Sequence, residues 1–281
     1  AEITSFVCCA KARRILGEKK AGHAGTLDPM ATGVLPILIG KATRALDLIP
    51  THDKRYTATM QFGFESDTLD IWGNVRKTEK KPPVLTEIEA VLPRFRGDIL
   101  QVPPMTSALK KDGKRLYELA RQGIEVERQP RPVTVYALEI LDYQPESGTL
   151  TFDCHCSKGT YIRSICDDIG RLLGCGAVMT ALRRTMAAGF SLSDCVTFEA
   201  LEAAAEKEPF ILPIEKVFST YPVITVSAAQ AVRFRNGGAL AAERVHTKLP
   251  QTPVRVFAPD GVFLGLGQEK EQSLAVLKLF V

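Results

Sequence analysis

The stretch that most constrains this chain is Ala21-Gly22-His23-Ala24-Gly25-Thr26-Leu27-Asp28-Pro29-Met30-Ala31-Thr32-Gly33-Val34-Leu35-Pro36. It holds three glycines, two prolines, one histidine and a single carboxylate, with neither lysine nor arginine. Gly22, Gly25 and Gly33 open backbone angles that other residues avoid. Pro29 drives Asp28 out of the helical region into an extended conformation. A segment of this kind reads as a constrained loop, the usual place for chemistry on a rigid scaffold. Taken by itself, Asp28 serves equally well as a cap for the next element.

On either side of this loop the chain is patterned for both helix and strand. Cys8, Ala12, Ile15 and Leu16 make an apolar helical face that Thr4 or Ser5 can cap and Gly17 can stop. A short strand is expected over Val34–Ile39, broken by Pro36, then a helix from Lys41 to Ile49. Tyr56, Ala58, Met60 and Phe62 alternate with Thr57, Thr59 and Gln61, the pattern of a half-buried strand. Residues 63–84 read as exposed loop, and Thr86 with Glu89 as a capping box for a helix carrying Ile88, Val91, Leu92 and Phe95. Val133–Tyr143 and Leu150–Cys156 alternate again. Next, Ile162, Ile165, Cys166, Ile169, Leu172 and Leu173 form a helical stripe that ends at Gly174.

Arg163 falls in the first turn of that helix, where the macrodipole disfavours a cation unless an anion pairs with it. Asp28 and Asp167, the latter one helical turn away, are both candidates. In the preceding strand Cys154 and Cys156 share one face while His155 points to the other, so Cys-His-Cys is no metal site. Seven cysteines at irregular spacing argue for reduced thiols rather than a disulfide framework. No apolar run approaches the roughly 18 residues that span a bilayer, and no leader pattern opens the chain, so a cytoplasmic protein is expected.

Net charge is only +4, but it is unevenly spread. Lysine and arginine exceed Asp and Glu in residues 1–55, 106–132 and 218–281, leaving the remainder acidic. Three separated basic regions fit either a phosphate backbone or ordinary solvated faces.

The run Gly-His-Ala-Gly-Thr-Leu-Asp-Pro-Met-Ala-Thr-Gly-Val-Leu-Pro (residues 22–36) resembles the active-site signature of the TruB family of tRNA pseudouridine synthases. Cys-Ser-Lys-Gly-Thr-Tyr-Ile-Arg (156–163) is a second match, and Ala-Leu-Arg-Arg (181–184) a third. The family usually opens on a short strand and a Lys-Pro-containing motif. The numbered chain starts at the helix that follows, so that strand is expected to be missing from it.

The resemblance implies an α+β fold: a mixed, largely antiparallel sheet with flanking helices, and a small β-rich domain behind it. It implies a catalytic domain over residues 1–217 and a PUA-like RNA-binding domain over 218–281. Within the first, residues 101–132 would be an RNA-gripping, thumb-like insertion carrying Lys110, Lys111, Lys114 and Arg115. Composition alone also fits a surface loop there. The implied reaction turns a uridine of the tRNA T loop, position 55, into pseudouridine, with no metal, redox or nucleotide cofactor.

In that reading Asp28 acts on the nucleotide and Arg163 keeps it ionised. Tyr56 stacks on the flipped base, which leaves the RNA at a cost of a few kcal/mol. Tyr161 and Leu182 line the pocket, although Leu182 also suits the core, and His23 fills the gap left in the RNA. The implied partner is the tRNA T stem-loop, met by a monomer away from any membrane. Two alternatives are carried: a guide-RNA-dependent synthase, and a non-catalytic RNA-binding protein or tRNA folding chaperone.

Overall fold

The computed structural model describes residues 2–245 and 248–281. They form two compact units, each mixing helix and sheet. The first comprises Gly25–Leu35 and His52–Cys195 with the N-terminal residues up to Ser5. The second comprises Phe6–Ala24, Pro36–Thr51 and Val196–Val281. The glycine-rich stretch is therefore shared, with Ala21–Ala24 in the second unit and Asp28 in the first.

The sheet of the first unit runs, edge to edge, Phe190–Ser191, Ala177–Ala187, Lys54–Phe62, Thr149–Cys156, Arg131–Gln144 and Gly97–Gln101, with every neighbour antiparallel. Thr32–Gly33 adds a short parallel pairing to Arg183 and Arg184. Alternation decides the inner face: Tyr56, Ala58, Met60 and Phe62 are buried, as are Leu150, Phe152, Cys154 and Cys156 on the next strand. The helix Ile162–Leu172 covers that face with Ile162, Ile165, Cys166 and Ile169. Each large apolar side chain removed from water there contributes roughly 1.5–3 kcal/mol. The stripe is shorter than its spacing predicts, since Leu172 is exposed.

Three local expectations change. Ser5 does not serve as a cap; its hydroxyl donates to the Leu27 carbonyl and accepts from the Leu27 amide, at 3.1 and 2.9 Å. The helix predicted at Thr86 spans Leu85–Val91, and Glu87 rather than Glu89 reaches back, accepting from the Val84 amide at 2.9 Å. Pro82 and Pro83 hold the chain extended up to Val84, which fixes that earlier start. Residues 63–84 are not only loop: Phe64–Ser66 and Val75–Lys77 pair as a hairpin.

In the second unit Val223–Thr225, Val254–Phe257, Phe263–Lys270, Ser273–Leu279 and Leu240–Ala241 form a five-stranded sheet, in that order. Ser227 caps the helix Ala228–Arg235 by accepting from the Gln230 amide. Phe234 is fully buried in it, whereas Val232, on the other helix face, is exposed. Ala21–His23 pairs with Ile37–Ile39, and the segment expected as an α-helix after it is a 3-10 helix, Gly40–Leu48. All seven cysteines are free thiols. No helix among the described residues is long and apolar enough to cross a membrane.

Candidate active site

Asp28 sits where the local sequence isolates a carboxylate. Gly25 and Gly33 take φ of +95° and +102°, so the loop turns sharply at both ends. Leu27 and Met30 pack against the core of the first unit, which fixes the backbone around Asp28. The Asp28 carbonyl accepts from the Ala31 amide at 2.9 Å, closing a turn over Pro29. With its neighbours held, the Asp28 side chain keeps about a third of its surface open, at 32%.

Arg163 meets it from the first turn of the covering helix. Its Nε lies 2.9 Å from Asp28 Oδ2, and its Nη2 donates to Oδ1 at 3.1 Å. This two-toothed geometry is the strong form of an arginine–carboxylate pair. The remaining Nη hydrogens go to the carbonyls of Thr68 and Thr106, at 3.2 and 3.1 Å, and to the Thr106 hydroxyl. The guanidinium side chain is only 5% exposed. Asp167, the other candidate, pairs instead with Arg171 one turn further on, at 2.8 Å. The pair is thus buried on the arginine side and open on the carboxylate side.

A second carboxylate stands behind the arginine. Asp70 is buried, and its Oδ2 lies 3.7 Å from Arg163 Nη1. Its Oδ1 accepts from the Thr68 hydroxyl and the Trp72 amide, at 2.7 and 3.0 Å. Backbone bonds between Met179 and its neighbours Leu69 and Ile71 dock this turn on the sheet. Nothing in the local sequence marks Asp70, because the turn gains its meaning only from what it lies against.

Tyr56 is buried, and burial pushes its hydroxyl up to about 12, against the pull of the adjacent Arg184 guanidinium. Tyr161 is half-buried, and burial raises its hydroxyl too, opposed by Ser107 and Arg163. The negative charge of Asp28 acts on both hydroxyls, so the three groups share one neighbourhood. Gln101, also unmarked in the sequence, holds Tyr161 in place. Its amide accepts from the Tyr161 N–H at 2.7 Å and donates to the Tyr161 carbonyl at 3.0 Å. Leu182 is a core residue paired with Ala58 across the sheet.

His23 belongs to the second unit, on the short strand where it pairs with Ile37. Lys110, Lys111, Lys114 and Arg115 are all exposed, on a two-stranded hairpin turned by Asp112 and Gly113. The positive φ at both turn residues is the tight hairpin form that Asp-Gly favours. Cation faces cation across it, Lys110 opposite Arg115 and Lys111 opposite Lys114. Met105, Leu116 and Leu119 form a small core beneath.

Among the described residues no three His, Cys, Asp or Glu side chains are grouped to hold a metal ion. The arrangement presents one accessible carboxylate, held by a guanidinium, near two tyrosines whose hydroxyls burial keeps protonated.

Comparison with known proteins gives three family models that match in succession. Residues 13–162 match the TruB family pseudouridylate synthase (N terminal domain) and residues 163–219 the tRNA pseudouridylate synthase B C-terminal domain. Residues 222–280 match a pseudouridine synthase II TruB C-terminal model. The chain is 42% identical to the tRNA pseudouridine synthase B of Pseudomonas fluorescens over 280 residues, 96% of this chain and 89% of that one. It is 40% identical to that of Clostridium kluyveri, covering 99% and 96%. Among solved structures it resembles a chain of a Cbf5-Nop10-Gar1 complex, at 27% identity and a TM-score of 0.69, covering 99% and 82%.

Proposed function

The chain belongs to the TruB family of pseudouridylate synthases, and from that premise we propose that it converts the T-loop uridine of tRNA, position 55, to pseudouridine as a stand-alone, cofactor-independent enzyme. The observation that carries the reading is the two-toothed contact between Arg163 and an accessible Asp28. The isomerisation breaks a C–N glycosidic bond, turns the uracil while it is held, and forms a C–C bond to the same sugar carbon. It needs a reactive carboxylate in a pocket from which the free base cannot escape. Asp28 is that carboxylate, and Arg163 orients it through both oxygens.

Tyr56 stacks against the flipped base, and Tyr161 and Leu182 close the pocket around it. His23 occupies the space the base vacates in the RNA. The hairpin of Lys110, Lys111, Lys114 and Arg115 tracks the phosphate backbone; an anion between its facing cations relieves their repulsion. The catalytic domain spans 1–217 with 101–132 as its thumb, and 218–281 is a PUA-like RNA-binding domain. The enzyme works in the cytoplasm as a monomer on the tRNA T stem-loop.

Guide-dependent action is the second reading, because the solved neighbours include H/ACA assemblies such as an archaeal Nop10-Cbf5 complex. Identity favours the first, at 40–42% against 25–27%. Unmodified tRNA transcript incubated with the protein alone, followed by mapping of pseudouridine, separates the readings. Product at position 55 supports the proposal. Product only with added guide RNA supports the second reading, and tight binding without product supports a chaperone.

A further inference from the structure

Arg184 is the largest fully buried side chain among the described residues, with no measurable exposure. Arg183 beside it is exposed, since neighbours on a strand point to opposite faces. A charged group is almost never buried this completely unless it is paired. Yet no Asp or Glu among the described residues lies within ion-pair distance of Arg184. What compensates the guanidinium is chiefly backbone: Nε donates to the Val34 carbonyl at 2.7 Å, Nη1 to Thr26 and Nη2 to Gly25, both at 3.1 Å, with the Tyr56 hydroxyl beside them.

These three carbonyls sit at the two ends of the loop that carries Asp28. The main chain of Arg184 adds to the grip, its carbonyl accepting from the Val34 amide at 2.8 Å. Gly33 passes so close that a Cβ there would lie 2.1 Å from that carbonyl oxygen. Across the sheet Arg184 is in register with Tyr56. One residue thus ties both feet of the Asp28 loop to the strand next to Tyr56.

We infer that Arg184 is a positioning residue for the reaction: by clamping the carbonyls of Gly25, Thr26 and Val34 it sets where Asp28 stands relative to Arg163 and the bound nucleotide. This rests on the reading of Asp28 as the reacting carboxylate. A guanidinium suits the task because its rigid planar fork sends donors from three nitrogens to acceptors set apart along the loop, whereas an ammonium's three donors radiate from a single nitrogen. A misplacement of about 1 Å at a reacting group lowers a rate about 100-fold.

The test compares Arg184→Lys, Arg184→Met and Gly33→Ala with the exposed control Arg183→Lys. Melting temperature, affinity for unmodified tRNA transcript and single-turnover rate on saturating transcript are measured for each. The wild-type rate is established first, so that an inactive wild type counts against the proposed function and not against the clamp. Expected are folded Arg184→Lys and Gly33→Ala with transcript affinity within about threefold and rates about 100-fold lower, and Arg183→Lys unchanged in rate. Arg184→Met should be no faster than Arg184→Lys. A folded Arg184→Lys with the wild-type rate overturns the inference, as does affinity that falls in step with rate. If the Arg184 variants do not fold, Gly33→Ala decides: slowed but folded supports the clamp. Normal rate, or loss of folding there too, overturns it in favour of a purely structural arginine.

Discussion

Arg163 touches two carboxylates at once, Asp28 through contacts of 2.9 and 3.1 Å and Asp70 at 3.7 Å from another nitrogen. Asp28 is about a third exposed, while Asp70 is buried and bonded to its own turn. The same cation therefore presents one carboxylate outward and is braced by the other from within. The predictions below follow from this division and from the groups around it.

Asp28→Asn keeps the shape and one acceptor but removes the charge. Product formation from tRNA transcript should fall below detection while transcript affinity stays within a few-fold. Filter binding and pseudouridine mapping on the same preparation check this, and retained turnover would sink the assignment.

Arg163→Lys keeps the charge and loses the fork. A lysine cannot hold both oxygens of Asp28 together with Thr68 and Thr106. The single-turnover rate should fall about 100-fold or more. Stability should drop by roughly 1–3 kcal/mol, because buried acceptors lose their donors. Denaturant unfolding gives the second quantity.

Asp70→Asn separates bracing from folding. The amide oxygen can still accept from Thr68 and the Trp72 N–H, so the melting temperature should change little. The charge behind Arg163 is lost, and the guanidinium will bear more strongly on Asp28. A rate reduction of about 10-fold, worth about 1.4 kcal/mol, is expected, and a rate equal to wild type would exclude the brace.

Tyr56 links the site to pH. Its hydroxyl is pushed up to about 12, chiefly by burial, whereas an unfolded tyrosine titrates near 10. The folded state therefore binds more protons than the unfolded one between about pH 10 and 12, and stability falls as pH rises through that window. The contribution is full below pH 10 and amounts to about 2–3 kcal/mol across the shift. Tyr56→Phe should flatten the alkaline loss of stability, read from denaturant midpoints at pH 8 to 11. Turnover of the same variant tells whether the hydroxyl moves a proton or the ring alone matters.

Replacing Lys110, Lys111, Lys114 and Arg115 together by serine tests the thumb. Facing cations destabilise a hairpin, so the melting temperature should hold or rise. Transcript binding should weaken, and the slope of log affinity against log salt should shrink by about 3. Titrations between low and moderate salt measure it, and an unchanged slope would remove this hairpin from the interface.

Much of the fold follows from period alone. The strand Lys54–Phe62 and the helix Ile162–Leu172 bury the residues that their alternation and stripe pick out. Ends were harder to read, as with Leu85 and Leu172, because neighbours and prolines decide where a pattern stops. Asp28 stood out locally through its glycines and Pro29, whereas Arg184 did not, because only the strand Ala177–Ala187 turns it inward beside an exposed Arg183.

By itself the sequence determined which residues face the core, where the chain must turn and which constrained loop sets a single carboxylate apart. Its motifs also carried the likeness to the TruB family. Only the tertiary structure decided that Arg163 pairs with Asp28, 135 residues away, rather than with Asp167 one turn along the same helix. It alone brought Asp70, Thr106 and Gln101 to the site and buried Arg184 against the loop. The reason is physical. Periodicity and turn chemistry are local and written in neighbouring residues, whereas a charge takes whichever partner the packing of distant strands leaves within reach.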